Sequence, residues 1–251
     1  MKRLILALQF LTVFRVRKDV RFTPADLSSS MAFFPLIGAL QGAIVAGADW
    51  LLRAYLPPGV LSALVLIILI LTNGGLHLDG FADTVDGLAG GRTPEERLSI
   101  MRDSRIGAVG VAFVALLILL KYSSLNAFAG GARTNALFLF PLVGRWAMVP
   151  MACLAPYARR EGGVGEAFVK TPYTNLLIAS AISAGALIYV YGAYSIILLA
   201  MLGALAFIVT AFFKRKLGGV TGDVFGFQSE VSEAAFLILL LAFKKMSSIY
   251  I

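Results

Sequence analysis

Charge, cysteine and histidine are all scarce in this chain. Only 14% of its 251 residues are Asp, Glu, Lys or Arg, against about 25% in an ordinary soluble domain. The single cysteine, Cys153, lies in an apolar run. One cysteine excludes an intrachain disulfide and leaves the redox compartment unread. His77 is the only histidine. There is no internal repeat, no low-complexity segment and no polar interval long enough for a soluble domain. Length alone permits one or two domains. What fills the chain is apolar: 59% hydrophobic residues and a mean hydropathy of +0.86. Several runs reach the ~20 residues that cross a ~30 Å hydrocarbon layer. The composition predicts an all-α polytopic membrane protein, with residues 1–251 forming a single integral membrane domain.

About seven spans are legible, at roughly 31–55, 60–78, 106–128, 134–154, 174–191, 194–213 and 232–250. Leu4 to Phe14 is apolar but too short to span, and it lacks the small-residue cleavage site of a signal peptide. It reads as an interfacial or re-entrant helix, followed by the basic residues Arg15, Arg17, Lys18 and Arg21. Thr23-Pro24 with Asp26 predicts a helix start. Gly38, Gly42 and Gly47 in the first span suit close helix packing in lipid. Pro57-Pro58-Gly59 predicts a tight turn, and Gly192-Ala193 a short hairpin between the fifth and sixth spans. Trp50 and Tyr55 fit an interface belt.

The net charge of +8 fits basic loops beside membrane spans better than nucleic acid. Sixteen Lys and Arg residues fall on the N-terminal side of the membrane and five on the other, with Arg145 inside a span. The positive-inside rule then predicts a cytoplasmic N-terminus in a cell membrane. It also places the segments at about 72–110, 155–173 and 214–233 in the cytoplasm. Lys121 and Arg133 fall on the opposite side, and Lys121 reads as snorkelling to that interface.

One segment concentrates the acid. Six of the fourteen acidic residues lie between Thr72 and Gly110: Asp79, Asp83, Asp86, Glu95, Glu96 and Asp103. Asp79, Asp83 and Asp86 stand at i, i+4 and i+7. If the preceding helix continues through them, they stack on one face. Such like charges repel unless a cation sits between them. Carboxylate oxygens are hard donors that suit Mg²⁺ or Mn²⁺, which commonly share their coordination with substrate phosphates. Arg102 and Arg105 stand close by and suit bidentate phosphate binding. The pattern predicts metal-assisted displacement at the phosphorus of a diphosphate.

A second segment, Lys214 to Glu233, surrounds Asp223 with Gly218, Gly219, Gly222 and Gly226. A glycine-rich loop can cradle phosphate on its N–H groups. It lacks the Gly-Lys-Ser/Thr of a P-loop, and a plain flexible turn is the competing reading. Likewise an acidic run is often a solvated face, and a lone His77 beside a span is more often structural than catalytic. Arg145, charged and inside a span, reads either as a functional residue or as the structural partner of a site Asp.

The stretch GGLHLDGFADTVDGLAGGRTPEERLSIMRDSRIGAVG, residues 74–110, resembles the signature of the cobalamin synthases, the adenosylcobinamide-GDP ribazoletransferases. The similarity extends to QFLTVFRV near the N-terminus, to PLVGRWAMV around Arg145 and to GGVTGDVFG around Asp223. It covers most of the chain in the same order. The resemblance implies a membrane transferase that joins adenosylcobinamide-GDP to α-ribazole, or to its 5′-phosphate, and releases GMP. It implies dependence on Mg²⁺, held by Asp79, Asp83 and Asp86. Asp83, Asp86 and Asp223 then carry the chemistry, with the general base left open between Asp86 and Asp223. His77, Arg102, Asp103, Ser104, Arg105 and Arg145 would contact substrate or a second metal shell. Nucleic acid is not an expected partner, the lipid bilayer is, and a homo-oligomer is left open.

Two other classes share parts of this pattern. CDP-alcohol phosphotransferases and membrane prenyltransferases also hold diphosphates through Asp and Mg²⁺. Here Asp79-Gly80 is followed by Phe81, Ala82 and Asp83, which departs from the Asp-Gly-x-x-Ala-Arg run of the former. A transporter would place charges in several spans and repeat its halves.

Overall fold

A computed structural model describes residues 1–16, 22–103, 105–169 and 171–249, with the side chains of 164 and 244–249 set aside. Ser104, Arg17, Lys18, Arg21 and Lys170, the side chains of Lys244 and Lys245, and Tyr250 at the end of the seventh span therefore lie outside the described residues. Eleven helices run through the rest. They are α1 (Lys2–Leu11), α2 (Pro24–Ser30), α3 (Phe34–Leu52), α4 (Pro58–Asn73), α5 (Leu76–Gly90), α6 (Pro94–Ile100), α7 (Ala108–Asn126), α8 (Gly130–Leu154), α9 (Tyr173–Tyr191), α10 (Tyr194–Leu217) and α11 (Gly222–Ile249). Short 3-10 turns cover Met31–Phe33 and Val164–Phe168. Among the described residues there is no strand, only one isolated parallel bridge between Tyr157 and Val220. Six helical stretches are long and apolar enough to cross a membrane, and the pair α4 and α5 makes a seventh if counted together.

Local chemistry sets the helix ends. Thr23 caps α2 through a capping box with Asp26, and Pro24 occupies the first turn, as the sequence predicts. Pro57 caps α4, so the turn closes one residue before Pro58-Gly59, and both of these are already helical. The second span does not run straight into the acid stretch. Gly74 and Gly75 both adopt left-handed φ, at 64° and 76°, and Asn73 Oδ1 accepts the N–H of Gly75 at 2.9 Å. Only glycine takes two such residues in succession without strain. The chain turns by 90° there, so Asp79, Asp83 and Asp86 sit on a separate helix, α5.

α8 is the centre of the bundle and packs against α3, α9, α10 and α11. Its closest partner is α3. A Cβ on Gly38 would lie 2.5 Å from the Pro141 carbonyl, and one on Gly42 only 2.0 Å from that of Phe138. The two glycines let the backbones touch, as small-residue stripes do in membranes. Gly47 meets nothing within 4 Å, so it has no part in that contact. α1, too short to span, packs one face on the bundle: Leu6, Ala7 and Leu11 are buried, and Phe10 packs its ring on Phe168 at 4.4 Å.

Two charged clusters are buried in the bundle. Arg133 on α8 donates from Nε to Asp49 of α3 at 2.8 Å, and from Nη1 to Ser62 Oγ and the Leu125 carbonyl. In the second cluster, Lys121 of α7 pairs with Glu230 and Glu233 of α11, and Glu233 pairs with Arg145 of α8 at 2.6 Å. This corrects the reading of Lys121 as a snorkelling residue. Its side chain is 4% exposed, because two carboxylates on the facing helix hold it inside. It also corrects the seventh span. α11 begins at Gly222 rather than near 232, since its polar first turns pair and pack within the bundle.

Candidate active site

The site is assembled where α5 meets the start of α11. A Cβ on Gly80 would lie 2.8 Å from both the Cα and the carbonyl oxygen of Asp223. One on Gly226 would lie 2.9 Å from the His77 carbonyl. The two helices thus touch backbone to backbone, which brings Asp223 beside the acid face of α5. Phe81 and Phe227 stack at 5.2 Å behind this contact. Thr221 caps α11: its Oγ1 accepts the Val224 N–H and donates to Asp223 Oδ2 at 3.1 Å.

The loop after α8 is stitched to the turn before α11. Ala158 N–H donates to the Val220 carbonyl at 3.0 Å, and Val220 N–H to that of Pro156 at 2.9 Å. This pairing carries Arg159 to Asp223, where Nη2 donates to Oδ2 at 2.6 Å. The charges felt by Asp83 are those of Asp79, Asp223 and Asp86, opposed by Arg159. Two helices and one loop, distant in sequence, therefore contribute to one electrostatic cluster.

Within the cluster the carboxylates differ. Both oxygens of Asp86 are taken up by backbone: Oδ2 accepts the Gly107 N–H and Oδ1 that of Gly110, each at 2.8 Å. Asp86 thereby caps the start of α7, whose own residues supply no side-chain cap. Among the described residues no hydrogen bond or ion pair engages the carboxylates of Asp79 and Asp83. Asp79 lines a cavity of about 740 Å³ at the 90° turn, together with Asn73, Gly74, Gly75, Ala82 and Ile106.

The other residues singled out from sequence have partners or surroundings of their own. His77 is 1% exposed, both ring nitrogens are buried without a partner, and the charges acting on it are those of Arg145 and Lys121. It therefore faces the bundle interior. Arg145 is fully buried and donates to Glu233, to Ser229 Oγ at 2.7 Å and to Gln41 Oε1 at 3.1 Å. Its acidic partner is a glutamate of α11 rather than a site Asp. Arg102 pairs with Glu161, and Arg105 forks onto Asp103. That fork holds the Asp103 carboxyl down at about 2. Glu96 belongs to a capping box with Thr93, and the N–H groups of Arg92 and Thr93 hold its carboxyl below the usual range. Arg159 carries no motif of its own, and its approach to Asp223 exists only in the fold. The pairing of Lys121 and Arg145 with Glu230 and Glu233 had only a partial signal, Glu233 and Arg145 as opposite charges inside spans, because Glu230 joins a span only once α11 is seen to start at Gly222.

The donor set fits a hard divalent cation of the Mg²⁺ type. Asp79 and Asp83 offer carboxylates one helical turn apart, with no hydrogen bond or ion pair to them among the described residues. Among the described residues, no three acidic, histidine or cysteine side chains converge at ligand distance, so no all-protein cage exists. Mg²⁺ is ordinarily held by one or two carboxylates and completes its shell with water and substrate phosphate.

Comparison with known proteins matches the sequence to a family. The family described as cobalamin-5-phosphate synthase matches residues 3–241. An adenosylcobinamide-GDP ribazoletransferase of Geotalea daltonii is 39% identical over 239 residues, covering 94% of this chain and 95% of its own. The protein of that name from Acetivibrio thermocellus is 35% identical over 250 residues, covering 97% and 99%. One from Pseudomonas syringae is 36% identical over 240 residues, covering 94% and 97%. No solved structure matches. A family match over nearly the whole chain, with relatives above 30% identity along their full length, settles membership: the chain belongs to the cobalamin-5-phosphate synthase family.

Proposed function

We propose that this protein is an adenosylcobinamide-GDP ribazoletransferase that works at the cytoplasmic face of the cell membrane and depends on Mg²⁺. The observation that carries the chemistry is the pair of unengaged carboxylates, Asp79 and Asp83, on the exposed side of a helix fixed against Asp223. The names of full-length relatives supply the substrates, and the Lys and Arg asymmetry supports the orientation.

Asp79 and Asp83 would hold the metal, which when bound neutralises charge on the diphosphate and its leaving oxygen. A ribazole hydroxyl attacks the phosphorus nearer cobinamide. A new P–O bond forms there, the bridging P–O bond breaks, and GMP leaves. The hydroxyl proton passes to a carboxylate. Asp223 is better placed for it than Asp86, because Asp86 has both oxygens committed to backbone N–H groups, whereas the bonds to Asp223 engage only Oδ2. Asp86 serves instead by fixing the start of α7 against α5.

The test is product formation by the purified protein in detergent, with no sealed vesicle. Adenosylcobinamide-GDP and α-ribazole are expected to give a cobalamin product, whereas CDP-alcohol and prenyl-diphosphate substrates give none. Activity with the latter pair alone, or transport without chemistry in vesicles, would overturn the reading.

Gly80 supplies a sharper structural check. In Gly80→Ala the new methyl meets Asp223 backbone, which cannot rotate away, so α11 must shift. Such overpacking costs about 1–3 kcal/mol, while displacement of a reacting group by ~1 Å costs about 10²-fold in rate. The expected result is a folded protein with a slightly lower thermal midpoint and turnover down by roughly that factor. Unchanged turnover would show that the α5–α11 contact does not position the chemistry.

A further inference from the structure

We propose that Arg159 binds a phosphate oxygen of the substrate directly, as the cationic half of the diphosphate site. The proposal rests on the ribazoletransferase reading above. The two arginines beside the acid stretch are already paired at exposed positions, Arg102 with Glu161 and Arg105 with Asp103. Arg159 is the cation whose charge Asp83 feels. Its side chain is only 14% exposed, and both hydrogen bonds that hold it use Nη2, to Asp223 Oδ2 at 2.6 Å and to the Met101 carbonyl at 3.4 Å. Nε is buried, and the Tyr157 hydroxyl is its polar neighbour.

A guanidinium held through Nη2 by Asp223 and Met101 is already ordered, so it loses little freedom when Nη1 receives an oxyanion. Charge balance points the same way. Asp79, Asp83 and Asp223 are all acidic, and a diphosphate adds further negative charge to the same place. A metal held by two aspartates does not offset all of this, and a fixed guanidinium reduces the remainder.

Substrate and metal should respond to Arg159 in opposite directions, and this separates direct binding from mere support. In Arg159→Gln, binding of adenosylcobinamide-GDP without ribazole is expected to weaken about 10- to 100-fold, the loss of one charge-assisted contact. Mn²⁺ alone, followed by electron paramagnetic resonance, is expected to bind more tightly, because a competing cation has left the carboxylates. Arg159→Lys should recover part of the substrate affinity. Asp223→Asn removes the brace and keeps the guanidinium, so it should bind adenosylcobinamide-GDP at least as well as the parent protein. All measurements use the full chain in lipid nanodiscs.

Wild-type substrate affinity in Arg159→Gln, or joint loss of substrate and Mn²⁺ binding in folded protein, overturns the proposal. So does a substrate defect in Asp223→Asn as large as that of Arg159→Gln, since Arg159 would then act only through its brace. If the parent protein itself binds no adenosylcobinamide-GDP, the ribazoletransferase reading fails and takes this proposal with it.

Discussion

Asp83→Asn is expected to lower turnover by at least about 10³-fold while the protein still inserts and folds, since a metal centre supplies several kcal/mol of charge stabilisation. The asparagine keeps the shape of the side chain and one carbonyl oxygen but loses the charge that attracts a divalent cation. Nothing in the fold depends on that charge, because the Asp83 carboxylate engages no hydrogen bond or ion pair among the described residues. Removing it relieves repulsion from Asp79, Asp86 and Asp223. The thermal midpoint should therefore hold or rise as activity disappears, the usual mark of a site that keeps like charges together for function. Folded Asp83→Asn releasing GMP at near the parent rate would remove Asp83 from the chemistry.

Lys121→Met is expected to do the reverse, damaging the fold first. Lys121 and Arg145 balance Glu230 and Glu233 inside the bundle, and all four side chains are almost fully buried. Taking away Lys121 strands a carboxylate in an apolar interior, which costs about 3–5 kcal/mol. For a chain of this size that corresponds to roughly 6–20 °C in thermal midpoint. Lys121→Met with Glu230→Gln restores balance, leaving Arg145 paired with Glu233, and should recover most of the loss. Unfolding of the purified proteins in one detergent checks both. A single variant that melts within about 2 °C of the parent would mean that this cluster does not hold α7 to α11.

The sequence is most informative where one physical demand dominates. Apolar runs of bilayer length mark the helices, and Thr23-Pro24 with Asp26 marks the start of α2. Gly38 and Gly42 mark the α3–α8 contact. Reading fails where tertiary partners override composition. The first turns of α11 look like a loop because Gly222, Gly226, Ser229 and Glu230 are small or polar, yet each has a partner on α5, α7, α8 or the 155–169 loop. Lys121 looks like an interfacial residue because its partners are more than a hundred positions away. The Gly74-Gly75 pair is visible as flexible chain, but the 90° turn it makes depends on left-handed φ at both residues and on Asn73. The acid face of α5 is legible as spacing. The division of labour among its members is not, because Asp86 is committed to α7 by two bonds that only the fold reveals.

GMP release by the purified protein in detergent, with adenosylcobinamide-GDP and α-ribazole, with and without Mg²⁺, tests the account most directly. The account predicts one GMP for each cobalamin product formed, release that stops on chelation and returns with Mg²⁺, and none of this in Asp83→Asn. Equal release in the presence of a chelator, or a metal-dependent reaction that survives loss of Asp83, would contradict it.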